Sequence, residues 1–380
     1  MGKDSKKKNI LYIVPQMNAG GVEQNVVEVS NFLVKEGFNV FLLTSSLALK
    51  RSLKKNVNVI ISDVKTKNPF KIVRNVFKIA KIIKDNNINV VHVKSRAPAI
   101  SVFLLKKLAI VDVEFVTTVH GLYGCDTYLK YLYGISMMKS DKVLAVSPAS
   151  RNYVLNNYNI NPEKIKTINR GIDLSQYSHL NISVANLSSV ATYTNLDEDE
   201  RKMFLFPSRI SRGKGHFVLL KALSLVQRDD YCCVLMTSGV KPEIKREIID
   251  KIIEYNLSDK VTLVENIKDI KSAYFLSYFV ISLSVKEESF GRIPLESASM
   301  FRPVIASNIG NYRNTVIHNK TGFLVEPFNH FDIADKINQA LNLTNEEWIA
   351  FCKNGHDYVL ENYQIDDMFS RLKKVYREEN

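Results

Sequence analysis

Short runs of β-branched and apolar residues alternate with helix-period segments along the whole chain, and this rhythm restricts the fold more than any other feature. In the first half the strand candidates are 9–14, 39–44, 57–61, 90–93, 115–119 and 142–147, with helical patterns at 22–36, 70–84 and 101–107. Runs this apolar, joined by helices, are buried on both faces and specify a parallel sheet built of βαβ units. The rhythm restarts near Met203, with strands at 203–206, 231–237, 261–264, 279–283, 304–306 and 323–325 and helices at 217–226, 243–255 and 332–341. A chain of 380 residues with 46% apolar content can bury two cores. The expected fold is therefore α/β, two doubly wound Rossmann-like domains, with ligand outside the carboxyl ends of the strands in an interdomain cleft.

Residues 178–201 are polar, rich in Ser, Asn and Thr, and end in the acidic run 197–200, which suits a linker at the domain junction. The charged helical pattern 366–380 is expected to pack back across that junction. No run of 18 apolar residues occurs, so no membrane-spanning helix is expected. The first eight residues are charged and precede no signal-type apolar region, which points to a cytoplasmic protein. Cys125, Cys232, Cys233 and Cys352 lack metal-site or disulfide-frame spacing and read as reduced core thiols. No metal is expected.

Charge is unevenly divided. Positions 1–190 carry 27 lysines and arginines against 12 acidic residues, whereas the remainder is close to neutral. Codon or composition bias would load both halves alike, so the asymmetry reads as a surface for phosphate-bearing partners. Nucleic acid is excluded as the partner, because no aromatic-basic interleaving or known nucleic-acid module accompanies the charge. An anionic membrane surface remains, and the pattern 70–84 bears on it. There Ile72, Val73, Val76, Phe77, Ile79, Ala80 and Ile83 form an apolar side, with Arg74, Lys78, Lys81 and Lys84 mostly opposite. A solvated Rossmann-type helix reads the same way.

Three segments carry chemistry. The first strand runs into Asn18-Ala19-Gly20-Gly21-Val22-Glu23, where two glycines and a helix start let backbone approach an anion, although an ordinary strand-to-helix turn looks alike. Ser208-Arg209-Ile210-Ser211-Arg212-Gly213-Lys214-Gly215 sets cations and glycines at a helix start. That arrangement suits a diphosphate or, alternatively, a solvated basic loop. Glu288-Ser289-Phe290-Gly291-Arg292-Ile293-Pro294-Leu295-Glu296 places one acid in a loop and one in the following helix, so both can accept hydroxyl hydrogen bonds from a sugar or ribose.

Together with Val119-His120-Gly121, Ala145-Val146-Ser147, Asn169-Arg170-Gly171-Ile172-Asp173 and Pro303-Val-Ile-Ala-Ser307, these segments resemble the retaining, nucleotide-sugar-dependent glycosyltransferases of family 4 with the GT-B fold. The resemblance implies a nucleotide-sugar hexosyltransferase acting on a glycan or lipid-linked acceptor, in capsular polysaccharide or lipopolysaccharide synthesis. It implies no cofactor beyond the sugar donor. By the same resemblance Arg209 and Lys214 neutralise the donor diphosphate, Glu288 sits by the donor sugar, and Glu296 binds the ribose hydroxyls. Gly20, Gly21 and the Phe290-Gly291-Arg292 backbone line the donor, His120 lies beside the donor sugar, and Arg96 is a contact for the acceptor. The implied layout is an acceptor domain at 1–177, a linker at 178–201, a nucleotide-sugar domain at 202–364 and a returning helix at 365–380. Two departures stand out: the turn before Pro303 reads Ser299-Met300-Phe301-Arg302 without the usual glycine, and Asn314 replaces a usual acid. The alternative reading is a catalytically silent protein that binds nucleotide sugar or anionic lipid.

Overall fold

A computed structural model describes residues 8–18, 20–48, 52–125, 127–194, 200–237, 239–265 and 267–377. The chain divides into two compact units, one of residues 1–169 with 366–380 and the other of residues 170–365.

In the first unit seven strands form one sheet: β1 (Asn9–Val14), β2 (Asn39–Thr44), β3 (Val57–Ile61), β4 (Val90–Val93), β5 (Glu114–Val119), β6 (Lys142–Ala145) and β7 (Ile165–Thr167). Their order is β3-β2-β1-β4-β5-β6-β7, and every pairing is parallel. Strand alternation sends Leu11, Ile13, Val91 and Val93 to one face, where they pack with Val76, Ile79, Val102, Leu105 and Met137 from the helices Pro69–Asp85, Arg96–Lys107 and Tyr128–Met138. The opposite face carries Tyr12 and His92 and is covered by the last helix, Ile365–Arg377. Phe369 of that helix stacks on Phe32 with ring centroids 4.3 Å apart. The Tyr376 hydroxyl meets the Tyr12 hydroxyl and His92 Nδ1, while His92 Nε2 lies 2.6 Å from Thr118 Oγ1. Burial holds the His92 pKa well below its ordinary value, so the imidazole in this network is neutral.

In the second unit six parallel strands, β8 (Lys202–Phe206), β9 (Tyr231–Met236), β10 (Val261–Val264), β11 (Phe279–Ser282), β12 (Val304–Ser307) and β13 (Gly322–Val325), run in the order β10-β9-β8-β11-β12-β13. Phe204 and Phe206 pack toward Leu219, Ile248 and Ile337; Met203 and Leu205 pack the other way, toward Val190, Ala273 and Tyr312. Two Rossmann-like α/β units are thus present.

Two expectations change. Within the span 178–201 the chain forms a 3-10 turn, His179–Asn181, and the helix Val184–Thr194, whose Val190 is buried in the second core. Most of the acidic run 197–200 lies outside the described residues. The small residues of this helix hid an apolar edge that composition read as linker. The C-terminal helix runs Ile365–Arg377, and residues 366–380 group with the first unit. In Pro69–Asp85 only Ile72, Val76, Ile79, Ala80, Ile82 and Ile83 among its apolar residues are buried; Val73 and Phe77, placed by periodicity on the core side, are exposed together with Phe70. The buried stripe is simply narrower than the apolar arc of the sequence. Among the described residues no helix is long and apolar enough to cross a membrane.

Candidate functional site

In a doubly wound sheet the chain leaves the two central strands in opposite directions, opening a crevice at their carboxyl ends. In the second unit those strands are β8 and β11. Arg209 and Lys214 follow β8, and Glu288 follows β11, so the fold gathers cations and an acid that are more than seventy positions apart.

The two loops are stitched together. Lys214 N–H donates to the Ser211 carbonyl at 3.1 Å, closing a turn, and Val285 N–H donates to the Gly213 carbonyl at 3.0 Å. Gly215 ends the first loop at φ +82, where a Cβ would stand 1.9 Å from the Leu283 carbonyl oxygen. Only glycine tolerates both the left-handed backbone and that approach. The result is an ion pair between Lys214 Nζ and Glu288 Oε1, which also accepts from Ser284 Oγ at 2.9 Å. Arg209 is exposed, with no hydrogen-bond or ion-pair partner among the described residues.

Behind the first loop His216 is buried, stacked on Phe206 with ring centroids 4.2 Å apart and with Nε2 3.2 Å from the Ser208 carbonyl. Burial, reinforced by the Lys214 charge and opposed by hydrogen bonds to backbone carbonyls, pushes its pKa down to about 4. The folded state therefore excludes a proton that the unfolded chain accepts below about pH 6.5. Stability from this group is complete above that pH and is lost as pH falls toward 4, an expected loss of about 3 kcal/mol. Urea midpoints measured from pH 7 to pH 4 should fall more steeply for the wild type than for His216→Leu; parallel curves would show that this ring does not titrate as described.

Glu288 stands in the loop and Glu296 in the helix Arg292–Ser299, as expected. The two acids do not share a partner. Glu296 accepts from Arg292 Nε at 2.8 Å and Tyr274 Oη at 2.9 Å, and the Tyr177 hydroxyl faces it as well. Burial and this carboxylate raise the pKa of both tyrosines, keeping them as neutral donors. Phe290 is 3% exposed, under the Arg170 guanidinium at 5.5 Å, so its ring is a packing element and only its backbone can meet a ligand. Gly291 adopts φ +73, and a Cβ there would strike the Tyr312 ring at 2.3 Å.

The two departures have a structural account. Phe301 occupies the left-handed region at φ 55 where glycine is usual, and its ring stacks on His356 at 3.8 Å, offsetting a backbone cost of about 1 kcal/mol. Asn314 Nδ2 donates to Asn311 Oδ1 at 3.2 Å, and Asn311 Nδ2 in turn holds the Phe290 carbonyl at 2.8 Å. An ionised acid at position 314 could not make the first of these bonds.

In the first unit the central strands are β1 and β4. Gly20 and Gly21 follow β1 and open the helix Gly21–Lys35; Gly20 is extended at φ −179, and a Cβ on it would meet the Glu23 carboxylate at 2.4 Å. That neighbour is the end of a flexible side chain, so this contact alone does not require glycine. Arg96 is the first residue of the helix Arg96–Lys107 after β4. His120 follows β5, is 9% exposed, and bears electrostatically on His92. Sequence reasoning missed Tyr177, Tyr274, Ser284 and Asn311. Tyr177, Tyr274 and Ser284 lie in no motif, whereas Asn311 stands in the same segment as Asn314, and each becomes visible only through the acid or loop it holds. Of the cysteines, Cys232, Cys233 and Cys352 are buried and Cys125 half-buried, all as free thiols.

Comparison with known proteins identifies the family of both units. Residues 19–176 match the family described as Glycosyltransferase Family 4, and residues 194–358 match Glycosyl transferases group 1. A glycosyltransferase from Rickettsia africae is 32% identical with a TM-score of 0.90, each chain covered to 98%. N-acetyl-alpha-D-glucosaminyl L-malate synthase of Bacillus anthracis is 24% identical, with 95% of this chain and 94% of that protein covered. Anabaena Alr3699/HepE, solved in complex with UDP and glucose, is 16% identical with a TM-score of 0.83 over 97% of this chain and 99% of its own. Matched along both units and by a relative spanning nearly its full length, the chain belongs to the family 4, group 1 glycosyltransferases.

Proposed function

We propose that this glycosyltransferase moves a sugar from a nucleoside-diphosphate donor, with retention, to a glycan or lipid-linked acceptor in cell-envelope polysaccharide or lipopolysaccharide synthesis. The observation that carries the reading is the β8–β11 crevice, where Lys214 is paired with Glu288 and Arg209, in the same loop as Lys214, stands exposed. A diphosphate leaving group recruits both cations: Arg209 offers its fork and Lys214 a point charge, so that charge developing on the departing phosphate is met by groups already in place. Glu288, freed from Lys214 by that exchange, accepts a hydroxyl of the transferred sugar. Glu296, oriented by Arg292 and the two tyrosines, accepts from the ribose.

With no acid assigned as nucleophile, departure and attack take place on one face of the sugar, and positioning is the main catalytic task. His120, Gly20 and Gly21 belong to the first unit and are read as donor-side contacts there. The solved neighbour bound to UDP and glucose supports a nucleoside-diphosphate sugar. The test is a donor screen with purified protein that measures nucleoside diphosphate release, with and without chelator. Release from one sugar nucleotide, unchanged by chelator, is expected; no release from any donor would remove the reading, and strict Mn²⁺ dependence would remove its metal-free form.

The lipid-linked branch rests on the helix Pro69–Asp85. Phe70, Val73 and Phe77 follow i, i+3, i+7 spacing and are 86%, 51% and 61% exposed, among the exposed cations Lys71, Arg74, Lys78, Lys81 and Lys84. Tyr128, Leu129 and Leu132 are exposed on the helix Tyr128–Met138, which packs on Arg96–Lys107 as Pro69–Asp85 does. Apolar side chains within a basic surface suit the headgroup region of an anionic bilayer, at about 1 kcal/mol per cation plus burial of the rings. The protein should float with anionic vesicles at low salt and less at high salt. The Phe70→Ser/Phe77→Ser variant should lose most of the binding that survives high salt. Wild-type protein remaining unbound at every salt concentration would sink this attachment.

A further inference from the structure

Three half-buried cations of the first unit are matched to acids. Lys106 meets Asp141 at 2.5 Å, Lys142 meets Glu114 at 2.8 Å, and Lys373 pairs with Glu36. Arg96 differs. Its guanidinium lies 4.5 Å from the ring centroid of Tyr123 and 5.4 Å from that of Tyr133, and its one hydrogen bond among the described residues runs from Nη1 to the Gly124 carbonyl at 3.5 Å, the outer limit for such a bond.

The clamp is itself held in place. Tyr123 is the residue whose carbonyl accepts from the Tyr153 hydroxyl, and Tyr133 is carried by the helix Tyr128–Met138. The buried Tyr133 hydroxyl has no hydrogen-bond partner among the described residues. Two aromatic rings therefore lie against a cation that makes only the long bond to Gly124 among the described residues, beside a hydroxyl with no partner among them. Further positive charge is built in at the carboxyl ends of the same strands: Lys94, directly after β4, is 4% exposed and donates to Thr118 Oγ1 at 3.2 Å on the neighbouring strand β5.

A guanidinium held by its ring contacts presents parallel N–H donors matched to a planar or tetrahedral oxyanion. We infer that the molecule taken up by the first unit carries a phosphate or carboxylate group, and that Arg96, held against Tyr123 and Tyr133, is the residue that selects it. This deepens the reading of the first unit as the acceptor side. It makes Arg96 a specificity-determining contact rather than a general source of positive field, as the exposed lysines of Pro69–Asp85 are.

The test is a ligand-observed NMR titration of full-length protein with glycerol 1-phosphate, succinate and glycerol. An Arg209→Ala/Lys214→Ala background removes the cations of the second unit from the measurement. One of the two anions should bind at least about tenfold more tightly than glycerol. Tighter binding of glycerol 1-phosphate identifies a phosphate-bearing ligand, and tighter binding of succinate a carboxylate-bearing one. Adding Arg96→Gln should cost about tenfold in that affinity, and Arg96→Lys about threefold, since it keeps the charge and loses the fork. UDP binding measured with Arg96→Gln alone should stay within about twofold of wild type, which shows the variant folded. Anions binding no better than glycerol, or equally well with and without Arg96, would overturn the inference. Failure of the wild type to bind UDP would strike the nucleotide-sugar reading alone, because the anion titration does not use the second unit's cations.

Discussion

Lys214→Ala should lower kcat by about 10²–10³, the size of effect seen when one fixed donor to developing negative charge is removed. Lys353→Ala, an exposed change in the helix Asn345–Asn362, should leave it within about twofold. The reason lies in the partner of Lys214. Its ammonium is held against Glu288, with side-chain exposures of 35% and 21%, and so is already placed when a diphosphate arrives. Alanine removes the charge and also leaves Glu288 without its ion pair. Lys214→Arg should recover only part of the rate, because a fork does not reproduce a point charge at the same site. The measurement is single-turnover release of nucleoside diphosphate from the donor found by the screen. Equal rates for Lys214→Ala and Lys353→Ala would remove the lysine from the chemistry.

The second large effect is on stability. Gly215→Ala places a Cβ 1.9 Å from the Leu283 carbonyl oxygen at a position with φ +82. The atom it meets is backbone, which cannot swing aside, so the loops after β8 and β11 must separate. A cost of about 3–5 kcal/mol is expected from the combined left-handed strain and displaced loop. Gly213→Ala, two residues earlier, meets only the flexible Lys286 side chain at 3.7 Å and should cost less than about 1 kcal/mol. Urea unfolding of the two variants should separate clearly. Equal midpoints would mean that the loops are not locked as described, and that the Lys214–Glu288 pair owes its geometry to something else.

Much of the site was legible because its motifs are local. Arg209, Lys214, Glu288 and Glu296 could be picked out from cations, glycines and acids beside strand ends, and the strand ends themselves could be placed because β-branched runs bounded by polar residues are strong signals. The segments that escaped were those whose burial depends on a distant surface. The short β7 carries only Ile165 as a buried apolar residue, and the helix Val184–Thr194 was hidden by its small and polar residues. Phe77 and Val73 were assigned to the core because periodicity reports an apolar arc, not the width of the groove that receives it.

The sequence by itself determined the two parallel sheets, the loops that carry charge and glycine, and the family to which they belong, since each is written in neighbouring residues and their spacing. Only the tertiary structure decided who partners whom. Lys214 is tied to Glu288, Glu296 to Arg292 and Tyr274, Arg96 to two tyrosines, and Tyr376 to Tyr12 and His92. Hydrogen bonds and ion pairs act over a few ångströms, whereas several of these partners lie tens to hundreds of positions apart, and it is strand order that brings them within reach.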